Sequence, residues 1–216
     1  MAFVTRRAGM VWAMGGWWAM APASHAQGLP AAPVAAPGPT SVPVELEGFK
    51  FEPTATVAGK PVLLNGAAVS SILSTRTTVV ALYLARRQAT PEAALVEPGP
   101  KRLCFYSLRE VSAKDLSNTF LERLRQNAAN EEIAANFVQI AQFGAAFSNR
   151  NKLSRGDFVV FDYNPANNSI DMQLNGQHIG EPMHGEGFFR MLMKIWMGPK
   201  VKPATRKGLV GDFSGT

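Results

Sequence analysis

Two histidines, one cysteine and a pair of cations are the residues whose types and spacing could do chemistry. His178 and His184 stand six residues apart around Pro182-Met183, with Glu181 and Glu186 close by in the chain. Two imidazoles and two carboxylates are metal-ligand types, but a zinc set draws on thiolates or a third histidine, and neither is near. The plain reading is two loop histidines beside a hairpin, and no metal is expected. Cys104 is the only cysteine. It lies between Leu103 and Phe105 and reads as a small buried hydrophobe on a strand, with no disulfide framework possible. Arg190 and Lys194 fall one turn apart on a stretch that is otherwise apolar, and read as the solvated edge of a buried helix. The run from Phe188 to Met197 reads as core, or as the wall of an adaptable apolar pocket, since methionine fills irregular space. No phosphate-binding glycine loop or nucleophile elbow is present, so no cofactor is implied.

The elements that must position these residues begin with sheet. Pro61 to Leu64 is a short extended run closed by Asn65-Gly66, a turn signal. Thr75 to Leu84 is rich in β-branched and aliphatic residues and predicts one long strand. Pro91 to Val96 predicts a short helix with proline in its first turn, and Arg102 to Leu108 a further strand. Ser112 can cap a helix with Asp115 three residues on. Leu116, Phe120, Leu121 and Leu124 then share one face. A second helix is predicted from Asn130, with Ile133, Phe137 and Ile140 as its buried stripe. Strands return at Asp157 to Tyr163 and Ser169 to Leu174, where Ile170, Met172 and Leu174 alternate with polar residues. Asn175-Gly176 is a two-residue hairpin signal, and Gly187 to Met197 predicts the last helix. This order defines an α+β domain with helices laid on an antiparallel sheet.

The 216 residues suffice for one domain with a sizeable core. Residues 1–26 have the layout of a secretory signal peptide: Arg6-Arg7, an apolar run from Gly9 to Met20, and small residues at Ser24 and Ala26. That apolar run is shorter than the roughly 20 residues a spanning helix needs. Cleavage near Ala26 predicts an exported chain, periplasmic or extracellular, with no transmembrane span once mature. Residues 27–43 carry five prolines and predict a disordered Pro/Ala-rich linker ahead of a domain over 44–216. Without Arg6 and Arg7 the balance is 20 Lys and Arg against 16 Asp and Glu, a net +4 against +6 for the whole chain. The charge is spread out, with no run that suggests nucleic acid.

Several segments, in order, resemble the bacterial, secreted branch of the chalcone isomerase-like family. They are Leu64-Asn65-Gly66-Ala67-Ala68-Val69, Ala81-Leu82-Tyr83-Leu84, Leu108-Arg109-Glu110-Val111-Ser112-Ala113-Lys114, Gly156-Asp157, Asn175-Gly176, and Phe188-Phe189-Arg190 through Trp196-Met197-Gly198. The resemblance spans roughly Val44 to Gly211. It implies an open-faced β-sandwich, in which an antiparallel sheet carries helices on one face and a ligand cleft lies between them. In the family's enzymes an arginine favours a phenolate nucleophile, and hydroxyl groups with an ordered water stabilise an enolate.

Carried over by position, that machinery is mostly replaced. Ser70 stands where the family's arginine follows the Gly-Ala-Gly-Val stretch, and supplies no charge. Thr78 keeps a threonine, Val111 replaces a tyrosine, Asn118 keeps an asparagine, and Phe189 replaces a serine or threonine. On a straight strand Arg76 would share a face with Thr78, roughly 7 Å away, and could restore the cation; the duller placement is the wet side of the sheet. Ser70, Arg76, Thr78, Val111, Asn118 and Phe189 are therefore the pocket candidates. The leading expectation is a non-catalytic protein binding a small apolar or amphipathic molecule, such as a fatty acid, in the cleft. An isomerase (intramolecular lyase) acting on a chalcone-like substrate and an envelope protein with a closed core are the alternatives, since fold does not fix function.

Overall fold

Period-two alternation and β-branching build the sheet, and the helices follow from their caps and apolar stripes. The computed structural model describes residues 42–72, 75–147 and 151–212. The signal peptide expected over 1–26, and the expected linker up to residue 41, lie outside the described residues. The elements, in chain order, are β1 (Val44–Leu46), β2 (Phe49–Phe51), β3 (Thr54–Val57), β4 (Lys60–Ile72), β5 (Thr75–Leu84), α1 (Pro91–Val96), β6 (Lys101–Ser107), β7 (Val111–Ser112) and α2 (Ala113–Asn127). They continue with α3 (Asn130–Ala135), α4 (Phe137–Ala146), β8 (Lys152–Leu153), β9 (Phe158–Asn164), β10 (Ser169–Leu174), β11 (Gln177–His178), β12 (Met183–His184), α5 (Glu186–Met197) and α6 (Pro203–Gly208).

The main sheet runs β11-β10-β9-β6-β5-β4-β3, antiparallel throughout, with β12 also pairing β10. The expected α+β architecture, helices on an antiparallel sheet, is what the chain adopts. Alternation sorts the strands' side chains onto two faces. Ala68, Val80, Leu82, Leu84, Leu103, Phe105 and Phe161 face the helices. Val79, Ala81, Tyr83, Cys104 and Val160 point the other way, beneath Phe51. There the β1–β2 hairpin lies over the sheet, and Phe49 stacks on Tyr106 at 4.5 Å. Cys104 is 1 % exposed, and burial pushes its thiol up to about 12, as suits an inert core group.

On the helix side α5 is buried almost all round, and α2 offers it one face. Trp196 of α5 meets Phe120 of α2 edge-on at 5.0 Å and Phe105 of β6 at 5.7 Å. Ser112 caps α2 as expected, its Oγ accepting from Asp115 N at 3.3 Å. Asn175 and Gly176, at φ 52° and 78°, make the two-residue hairpin with both residues left-handed.

Three readings of the sequence need correction. Asn65-Gly66 is not a turn: β4 runs straight through it, with a register shift between Leu64 and Gly66. Asn65 is the extra residue of a bulge, and its amide is used in the fold, Nδ2 donating to Leu209 O at 2.7 Å and Oδ1 accepting from Gln88 N at 2.7 Å. The helix expected from Asn130 breaks at Asn136, whose side-chain Nδ2 donates to Glu132 O at 2.8 Å in competition with the backbone ladder. Beyond that break the apolar face restarts in a new phase, so Phe137 is 70 % exposed and Phe143 takes the buried place.

Lys194, expected at a solvated edge, is 17 % exposed, and its Nζ reaches both Glu132 oxygens at 2.6 and 2.7 Å. Burial pushes the Glu132 carboxyl up, but the Lys194 ammonium and the Ala129 N–H outweigh it and hold the carboxyl below its ordinary range. A carboxylate depressed in the folded state stabilises the fold above its unfolded pKa, and that contribution is lost as pH falls through the folded value. Glu132→Gln is thus expected to lower stability by about 1 kcal/mol at neutral pH. In urea unfolding the difference from the wild type should vanish as the solution is acidified through the carboxylate range.

Candidate functional site

Ser70 and Thr78 are cross-strand partners where β4 and β5 near their hairpin, 2 % and 3 % exposed. Both share a face with Ala68 and Val80 and so look toward the helices. Arg76 does not join them. The register slips between Ser70 and Ser71, so Ser71 pairs with Arg76 and Thr77 is the unpaired extra residue. A one-residue bulge reverses the alternation beyond it. The Arg76 guanidinium consequently lies exposed and ion-paired with Glu47, in the turn of the hairpin that covers the opposite face.

The other candidates spread further. Val111 is half-buried on β7 and packs at the edge of the core. Asn118 is exposed on α2. Phe189 is fully buried, its ring 5.7 Å from Tyr163. Tyr163 is level with Lys101 on β6, whereas Thr78 is level with Ser107, six residues along the same strand. At about 3.3 Å per residue that separates the two levels by roughly 20 Å. Ser70 and Thr78 therefore stand together, and Phe189 stands apart from them.

The cleft expected directly between sheet and helices is occupied. Phe105, Phe120, Phe161 and Trp196 fill it, none more than 1 % exposed. Large aromatics from four elements, β6, α2, β9 and α5, interlock there, which is the physical reason the space is closed. An open groove of about 370 Å³ lies instead between α2 and α4, lined by Ala113, Lys114, Ser117, Asn118, Leu121, Gly144 and Phe147. Asn118 is the sequence candidate that lines it. Leu121, Phe147 and Ala113 give it an apolar wall, and Lys114 and Asn118 give it a cationic, hydrogen-bonding rim. A visible sequence signal for it was Gly144, a lone glycine inside a helical pattern.

Arg123 had no sequence signal. One helical turn after Phe120, it sends its guanidinium from α2 down to the sheet, Nη1 donating to Ser70 Oγ at 2.9 Å and Nη2 to Ser71 O at 2.6 Å. Burial lowers its pKa. Ser70 on β4 is therefore met by a cation from another element.

The histidines join no set of three metal-ligand groups among the described residues. His178 Nδ1 lies 2.7 Å from Asp171 Oδ1 on the surface, and Glu186 instead accepts from buried Lys101 at 2.6 Å. Among the described residues no cluster of His, Cys, Asp and Glu could hold a metal ion, and no helix is long and apolar enough to cross a membrane.

Fold and site together define a class: an antiparallel sheet under helices, with a groove of about 370 Å³ between two of the helices. The chain belongs to the chalcone isomerase-like family, whose model matches residues 43–211. A fatty-acid binding protein of Arabidopsis thaliana shares the fold, at a TM-score of 0.59 and 13 % sequence identity, the alignment covering 80 % of this chain and 98 % of that one. A search of curated protein sequences finds no match.

Proposed function

We propose that this protein is a non-catalytic, exported binding protein that takes a small amphipathic molecule, a fatty acid or similar apolar carboxylate, in the groove between α2 and α4. The observation that carries the reading is the groove itself: about 370 Å³, with Leu121 and Phe147 as wall and Lys114 and Asn118 at the rim. That volume is in the range of small-molecule sites, which are mostly apolar with a few placed polar groups. The Lys114 ammonium and the Asn118 amide suit a carboxylate head, while the chain lies along the wall out of water. The fatty-acid binding protein with the same fold lends support. Val111 and Phe189 bring no proton donor to the family's catalytic positions, which weighs against an isomerase. The signal-like leader motivates the placement in a periplasmic or extracellular compartment.

Titration of the exported protein with a fluorescent long-chain fatty acid tests this. Saturable micromolar binding is expected, weakened about tenfold in Lys114→Glu, where attraction at the rim becomes repulsion. Absence of saturation, or equal affinity in Lys114→Glu, would sink the reading. A chalcone substrate should cyclise at its background rate with racemic product.

A further inference from the structure

A second cavity, about 180 Å³, lies at the other end of α2. Its walls are the bulged end of β4, the last two turns of α2, and the loop from α5 to α6. Its polar lining includes Ser70, Arg123, Asn127, Lys200, Lys202 and Thr205, with Ser71 and Gln126 beside them, and no Asp or Glu is among the lining residues. Arg123 uses two of its five N–H donors on Ser70 and Ser71 and pairs with no carboxylate among the described residues. Lys200 and Lys202 are exposed.

The frame around these cations is built by the fold. Asn127, 8 % exposed, accepts from Lys200 N at 2.8 Å through Oδ1 and donates to Arg123 O at 2.8 Å through Nδ2. It lies so close over Gly198 that a Cβ there would stand 2.3 Å from Oδ1, so glycine is what lets the loop come down on α2. Thr205 Oγ1 donates to Val69 O at 2.9 Å and fastens α6 to the same strand. A half-buried guanidinium with no counter-charge, held in a fixed frame and flanked by two lysines, is an incomplete ion pair. Desolvation makes that arrangement unfavourable until an anion completes it.

We propose that this cavity binds a phosphate group, with the Arg123 guanidinium as the hydrogen-bonding fork and Lys200 and Lys202 as flanking charges. A phosphate ester at neutral pH carries about −1.5 to −2 charges and three acceptor oxygens, which suits three cations better than a carboxylate does. The space equals roughly six waters at ~30 Å³ each, so a phosphate fits with part of its hydration. Val201 is the only aliphatic residue in the lining, which separates this site from the groove at the other end of the helix.

The test titrates the exported protein, at constant ionic strength, with inorganic phosphate, with glycerol 3-phosphate and with vesicles containing phosphatidic acid. Phosphatidylglycerol vesicles serve as the charge-matched reference. Saturable binding is expected, weakened at least about tenfold by Arg123→Met through loss of a charge-assisted fork. The double variant Lys200→Gln/Lys202→Gln should weaken it about threefold or more by loss of charge. Those lysines are exposed, so the double variant keeps the test valid should Arg123→Met fail to fold. Gly144→Leu, in the other groove, should bind phosphate like the wild type. Saturation by the free phosphates identifies a soluble ligand, and saturation by phosphatidic acid alone, above the reference, identifies a lipid headgroup; either sustains the proposal. No saturation by any probe up to about 10 mM phosphate, or wild-type affinity in the double variant, overturns it.

Discussion

Gly66→Ala is expected to destabilise the protein by at least ~3 kcal/mol, or to leave it unfolded. A Cβ on Gly66 would stand 2.2 Å from Gly208 O, 2.5 Å from Leu209 C and 2.6 Å from Gly211 N. All three are backbone atoms, so no side chain can swing aside. The crowding is reciprocal, since a Cβ on Gly208 would lie 2.8 Å from Ala67 O and 2.9 Å from the Ala68 Cβ. The two glycines let the C-terminal turn settle directly on β4, where Asn65 donates to Leu209 O and Thr205 to Val69 O. Separating these surfaces would leave buried amides and carbonyls without partners, each at about 1–3 kcal/mol. At about 2–4 °C per kcal/mol for a chain of this size, thermal melting should drop by roughly 6–12 °C. A melting temperature within a degree or two of the wild type would show that the backbones do not approach so closely.

That glycine also shows what the sequence could and could not disclose. Asn65-Gly66 signals local backbone freedom, and a turn is one way to use it; the protein uses it for a bulge and for a close approach to a segment that includes Leu209, 144 residues beyond Asn65. Local chemistry is legible from the chain, whereas long-range contact is not. The same limit divides the other elements. Ser112, the alternation of Ile170, Met172 and Leu174, and Asn175-Gly176 act on their own neighbours, and each does what its residue type dictates. Phe137 fails because a single side-chain bond from Asn136 resets the helical phase. Arg76 and Thr78 part company because one unpaired residue at Thr77 reverses the strand's alternation.

The candidate sites follow the same rule. Ser70 and Thr78 are neighbours across two adjacent strands, a pairing that the β4–β5 register sets. Phe189, expected among the pocket residues, faces Tyr163 instead, because the helix's placement on the sheet decides which residue meets which strand level. Arg123 could not be found at all. Arg123 and Arg125 fall on nearly opposite faces of α2, so one can reach the sheet while the other stays beside Glu122 on the surface, but helical phase does not say that the first will meet Ser70. A contact made between two distant elements leaves no trace in a motif.

Gly144→Leu should abolish ligand binding in the α2–α4 groove, by at least about a hundredfold, while leaving the fold intact or firmer. A Cβ on Gly144 meets nothing within 4 Å, and the residue lines the groove beside Leu121 and Phe147. A leucine there projects into the space the ligand needs and packs on the apolar wall, so the same surface is buried by the protein itself. Glycine inside a helix is also unfavourable by about 0.8–1 kcal/mol relative to alanine, and leucine ranks close to alanine. Binding and stability are thereby expected to move in opposite directions, which distinguishes a blocked site from a damaged protein. The readouts are the fluorescent fatty-acid titration and the melting temperature, taken on one preparation. Retained affinity with a raised melting temperature would place the ligand elsewhere in the fold. Lost affinity with a lowered one would show that α4 is held by contacts the groove's open side does not reveal.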